Sequence, residues 1–163
     1  MLDASALIDL KKANLLTPFA ALECQHIVPK PVRRKEVRNF TSEDWRILDD
    51  ARMLTYDLLP DEVTLAEELS GEQSTLSTND CFCYFTAVKH SAILLTGDAQ
   101  LRHFAQRHDI EVHGVLWVID VIVDAQLCSE TQLIRALESW IQDPSVRLPQ
   151  NELESRIKVL KNR

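Results

Sequence analysis

Asp3, Glu36, Asp80 and Asp98 are the residues of this chain best placed to do chemistry. Each lies where an apolar, strand-like run ends or where the helix beside one begins. Two carboxylates about 5 Å apart repel by roughly 3 kcal/mol at an effective dielectric near 20. A fold that gathers four of them at one sheet edge must neutralise them. The usual partner is a divalent cation held by oxygen ligands. The expectation from these residues is a metal-dependent hydrolase.

The elements that must position these acids follow from the pattern of apolar residues. Leu2 to Leu10 starts as a short strand and turns helical, with Ser5 as the expected N-cap. His26 to Val28 is a strand stopped by Pro29, and Val32 to Phe40 reads as a helix. Thr41 and Ser42 open a helix through Met53. Leu54 to Leu59 is strand-like, and Asp61 to Leu69 is helical, ended by Ser70-Gly71. Ser77-Thr78-Asn79 offers three caps for a helix from Asp80 to about His90, apolar nearly all round and hence buried. Ser91 to Thr96 is an unbroken apolar run, as an inner parallel strand requires. Gly97-Asp98 turns into a helix through about His108, and Ile110 to His113 is the last strand. Helical stretches then cover Val115 to Leu127, Glu130 to Gln142 and Glu152 to Lys161. Strands alternating with helices predict an α/β layer with a mostly parallel sheet, where ligands collect at the carboxyl ends of strands. The strands stop after His113 and helices take over.

Composition bounds the rest. The 163 residues suit one domain with a helical appendage. Three glycines exclude a glycine-rich phosphate cradle, and a net charge of -7 gives no global attraction for nucleic acid. Local cations are needed, and Lys30, Arg33, Arg34, Lys35 and Arg38 form the one dense basic run, around Glu36. Its alternative reading is an exposed helix face. Arg102, one turn after Asp98, is a further candidate for phosphate contact, as are Lys11 and Lys12. The cysteines Cys24, Cys81, Cys83 and Cys128 form no CxxC pair, so reduced, buried thiols in a cytoplasmic protein are expected. The five histidines lack metal-binding spacing and read as structural. The three tryptophans read as packing residues, and Asp120 and Asp124, at i and i+4, as solvent-exposed. The longest apolar run, near Val115 to Val123, is interrupted by Asp120 and too short to span a bilayer.

Four blocks carry a resemblance: LDASALIDL, VPKPVRRKEV, LSTNDCFCYFTAV and LLTGDAQLR. In that order and spacing they resemble the PIN-domain ribonucleases, and among them the VapC-type toxins of toxin–antitoxin pairs. The resemblance covers Leu2 to about Val118. It implies a three-layer α/β/α sandwich with a mostly parallel central sheet and a Mg²⁺- or Mn²⁺-dependent nuclease acting on RNA. It assigns Asp3, Glu36, Asp80 and Asp98 as catalytic and metal-holding acids, with Ser5 and Thr96 in support. It also implies a homodimer and an antitoxin partner. Two departures stand out. Only Met1 and Leu2 precede Asp3, so a weakened first strand is expected. The chain also runs about fifty residues past the compact toxins. The expected organisation is a PIN-like nuclease domain over 1–118 and a helical extension over 119–163 packed on it. A catalytically inactive binding or assembly module with the same fold is the alternative. Replacing Asp3 or Asp98 by Asn is expected to abolish cleavage and to raise metal-free stability.

Overall fold

The computed structural model describes residues 1–162, so the last residue of the expected 119–163 extension lies outside the described residues. The elements run α1 (Ala4–Lys12), α2 (Leu16–Ala20), β1 (Ile27–Pro29), a π-helical turn (Val32–Glu36), α3 (Ser42–Asp50), β2 (Leu54–Tyr56), α4 (Pro60–Glu72) and α5 (Thr78–Lys89). They continue with β3 (Leu94–Leu95), α6 (Ala99–Gln106), β4 (Val112–His113), α7 (Val115–Asp124), α8 (Glu130–Gln142) and α9 (Gln150–Lys161). The architecture is α/β/α, rich in helix around short parallel strands.

The strands form two parallel pairs, β1 with β2 and β3 with β4. The leading segment Met1–Asp3 runs between them. Leu2 bridges Leu95 in parallel. The Asp3 N–H donates to the Leu95 carbonyl, and the Leu95 N–H to the Met1 carbonyl. On the other side the Leu2 N–H donates to the Ile27 carbonyl at 2.8 Å. A parallel ladder would return that bond from residue 29, which is Pro29 and has no N–H. A single backbone bond therefore joins the leading segment to β1, while its bonds on the other side go to Ile93 and Leu95.

Several elements are shorter or longer than their apolar runs. Of Ser91 to Thr96 only Leu94 and Leu95 are strand, because Ser91 takes a positive φ of 47° that ends α5. β2 stops at Tyr56; Leu59 stays extended outside the strand and leads into α4, whose first turn Pro60 pre-sets. Gly71 does not end α4, which runs to Glu72; one exposed glycine costs a helix only about 1 kcal/mol. The short α2 carries Pro18 and has no cap signal, so the sequence pattern does not show it. Val32 to Phe40 is no regular helix. It makes one wide turn that stops at Glu36, and the Val37 N–H reaches back to the Val32 carbonyl.

One apolar core runs through the molecule, with Leu7, Leu10, Val28, Leu94, Ile119 and Leu137 among its fully enclosed side chains. The C-terminal helices share it. Trp140 of α8 is 1% exposed, and its indole N–H donates to the Asp9 carbonyl of α1 at 2.9 Å. Lys12 pairs with Asp143 at 3.2 Å. Asp120 of α7 takes a two-pronged ion pair from Arg156 of α9, so it is not simply solvated. All four cysteines are free thiols; Cys81 and Cys83 are buried, Cys24 is exposed. Among the described residues no helix is long and apolar enough to cross a membrane.

Candidate active site

Asp3 is the fixed point of the site. It follows the Leu2 bridge and is itself the N-cap of α1, the role expected of Ser5. Its Oδ1 accepts from the Ala4 N–H at 2.7 Å. Its Oδ2 accepts from the Ser5 hydroxyl at 2.5 Å and the Thr96 hydroxyl at 2.7 Å. The two hydroxyls then accept in turn. Ser5 Oγ takes the Gly97 N–H at 2.8 Å, and Thr96 Oγ1 takes the Asp98 N–H at 3.0 Å. Each hydroxyl thus spends its one proton on Asp3 and one lone pair on the loop carrying Asp98. This network locks the end of the leading segment to the end of β3.

Asp3 is only 5% exposed and ringed by donors. An asparagine there could not accept on both sides, so relief of repulsion would not offset the broken network. The expected gain in metal-free stability on Asp3→Asn is therefore reversed.

Asp98 caps α6, its Oδ1 accepting from the N–H groups of Gln100 and Leu101, both at 2.8 Å. Asp80 closes a capping box at the head of α5. Its Oδ2 accepts the Ser77 N–H and hydroxyl, both at 2.7 Å, and Ser77 Oγ accepts the Asp80 N–H. Of the three expected caps, Ser77 is the one used. Glu36, at the end of the π-helical turn, accepts from the Asn79 side-chain amide at 2.8 Å.

The four acids share one electrostatic neighbourhood. The Glu36 carboxyl is held above its ordinary value by burial, opposed by the Asn79 hydrogen bond and reinforced by the charges of Asp3 and Asp80. Asp80 is raised by burial, opposed by Ser77 and reinforced by Asp3 and Asp98. The buried Cys83 thiol, 3.9 Å from Asp3 Oδ1, is pushed well up by burial and by the charges of Asp3, Asp80 and Glu36. Among the described residues none of the four carboxylates has a Lys, Arg or His nitrogen within 4.0 Å. Nor, among them, do three His, Cys, Asp or Glu side chains stand together as a metal-holding group, and Asp80 and Asp98 are both engaged in helix caps. The donor set is nevertheless that of a hard cation: carboxylate and hydroxyl oxygens with uncompensated negative charge. By the chemistry of their donor atoms the acids suit a divalent metal.

The basic candidates separate. Arg33 is engaged elsewhere, paired with Asp49 through both terminal nitrogens at 2.7 Å, bonded to Thr55 and stacked 4.4 Å from the Trp45 ring centroid. Arg34 is exposed, and Arg38 is exposed with its Nε on the Lys35 carbonyl. Arg102 donates from Nη2 to the Thr96 carbonyl at 2.7 Å, beside the acids. Lys11 pairs with Asp44. Sequence reasoning missed Asn79 as the holder of Glu36, although its place directly before Asp80 is a visible signal. It also missed Asp9, whose half-buried carboxyl is raised to about 6, chiefly by burial.

Asp3 and Asp98 follow the ends of parallel strand segments, Asp80 lies in the first turn of α5 and Glu36 ends the π-helical turn, so the acids belong to an α/β layer. The chain belongs to the PIN domain family, whose family model matches residues 1–162. PIN domains are typically nucleases, which places the chain among hydrolases acting on nucleic acid. A comparison with curated proteins finds no significant match, and neither does one with solved structures.

Proposed function

We propose that the chain is a Mg²⁺- or Mn²⁺-dependent endoribonuclease, with Asp3, Glu36, Asp80 and Asp98 as its catalytic acids. The observation that supports this most is that Thr96 joins Asp3 to the Asp98 loop while Glu36 and Asp80 feel the charge of Asp3, with no ion-pair partner for any of the four among the described residues. The four would hold the metal, which when bound supplies an acidified water and neutralises charge on the phosphate oxygens. The chain's own part is positioning. Ser5 and Thr96 hold Asp3, and Asn79 holds Glu36. Arg102, anchored by one nitrogen, keeps other donors for a phosphate beside Asp98. Arg34 and Arg38 are exposed cations on the Glu36 side. By resemblance the products carry a 5′-phosphate and a 3′-hydroxyl.

A narrower form of the proposal makes the chain a VapC-type toxin, homodimeric and cytoplasmic. Its antitoxin would lay an amphipathic helix on the surface and an arginine into the acidic pocket.

The test is Asp98→Asn. Asn caps a helix as well as Asp, so the variant keeps its fold while losing a metal-holding charge. Cleavage of RNA in Mn²⁺ is expected to fall by at least about a hundredfold, toward the loss seen when a transition-state contact worth ~2.7 kcal/mol is removed. Parent-like cleavage would refute the assignment. One observation favours the second reading, an inactive binding module: Asp80 and Asp98 are both spent on helix caps. Calorimetry decides between them, since an inactive module shows no heat on Mn²⁺ addition.

A further inference from the structure

A groove of about 640 Å³ opens beside Asp98. Its lining includes Ser5, Gly97 and Asp98 together with Arg147 and Pro149 from the segment between α8 and α9. Its volume lies within the range of ligand-sized clefts. Two of the chain's three glycines line it. A Cβ on Gly114 would lie 3.0 Å from Arg102 Nη2, so a glycine there lets Arg102 reach the Thr96 carbonyl. A Cβ on Gly97 would touch Ser5. Both keep the groove open where it meets the site.

Its cations are Lys12, Arg102 and Arg147, and its acids Asp9 and Asp98. Lys12 is bound to Asp143 and Ser145, which tethers the far wall to α1. Arg102 is partly spent on Thr96. Arg147 is exposed and, among the described residues, makes neither ion pair nor hydrogen bond through its guanidinium. Buried Val146 beside it holds its backbone in place. Trp117 supplies an aromatic wall, one side of its ring lying on His113 at 4.3 Å and 10°. The groove as a whole is close to charge-balanced, and what it offers an unpaired nucleic-acid strand is one free arginine for the backbone and an aromatic wall for a base.

We infer that this groove seats the single-stranded segment flanking the scissile phosphate, and that Arg147 grips its backbone. The inference rests on the nuclease reading and adds a role for the segment past α8, which completes the substrate track.

The test measures binding of a labelled single-stranded RNA across a salt series, in EDTA so that nothing is cut. Arg147→Ala should weaken binding and flatten the slope of log Kd against log salt by about 0.7, the value of one phosphate contact on a single strand. Arg147→Lys should restore most of that slope. Arg135→Ala, an exposed arginine of α8 outside the groove, should leave it unchanged. An Arg147→Ala slope equal to wild type overturns the inference. So does an equal loss in Arg135→Ala, or tighter binding of duplex than of single strand. Cleavage of the same RNA by wild type in Mn²⁺ is read in parallel. Cleavage with an unmoved Arg147→Ala slope removes the groove alone, and no cleavage with a moved slope removes the nuclease reading alone.

Discussion

Asp3 shows how one carboxylate can be held ready without a counter-charge. Three short hydrogen bonds from Ala4, Ser5 and Thr96 keep its oxygens in place. The arrangement is directional, because every partner is a donor. Asparagine offers one acceptor and one amide, so Asp3→Asn must set a donor against a donor or turn two hydroxyls round. An unsatisfied buried polar group costs about 1–3 kcal/mol. Denaturant melts should show Asp3→Asn less stable by that amount, and Asp98→Asn nearly unchanged. Loss of activity in the first variant therefore mixes chemistry with folding, and the second is the clean probe. The acids themselves stood out in the sequence as polar residues at the ends of apolar runs. Ser5 and Thr96 came only with the family resemblance, because a hydroxyl two residues away and one ninety-three away look alike in a sequence, and Asn79 did not come at all.

At the scale of elements, capping decides where the acids point. Ser77 and Asp80 close a box at the head of α5, and Asp98 caps α6. The same carboxylates that could face a cation are thus held by helix ends, whose positive pole also favours them. Glu36 depends on the wide π-helical turn, a geometry often found at functional sites. A regular helix through Phe40 would have aimed it elsewhere. The C-terminal helices are tied in by Trp140, whose ring is enclosed and whose N–H reaches α1. Trp140→Phe keeps most of the volume and loses the hydrogen bond, and is expected to cost about 0.5–1.5 kcal/mol in equilibrium unfolding. Equal stability would mean that α8 is held by packing alone. α7 runs unbroken through positions 118 and 119, the expected boundary between the nuclease domain and the helical extension.

For the whole molecule, stability should depend on pH through His26. This residue is 4% exposed and meets the Phe19 ring edge-on at 4.4 Å. Burial lowers its pKa from 6.5 to about 4. The unfolded chain therefore takes up this proton first as pH falls, and the folded state is penalised. The contribution is fully present above pH 6.5 and is lost as pH drops from 6.5 toward 4. Melting temperatures of His26→Gln should fall less steeply across that window than those of the parent. Asp9, raised to about 6, acts in the opposite sense, since protonation favours its folded state. The comparison between variant and parent cancels that term.

The sequence by itself determined the class of layers and most of the order of strands and helices, α2 and the π-helical turn excepted, and it singled out four candidate acids. Apolar periodicity and turn chemistry are local, and they survive without knowledge of the fold. It also carried the resemblance that the family match bears out as a PIN domain. Tertiary structure alone decided that the leading segment lies between β1 and β3, that Arg33 belongs to Asp49 rather than to the acids, and that a residue as distant as Arg147 shares a groove with Asp98. Those outcomes depend on which side chains meet after the core closes, and no local pattern encodes such meetings.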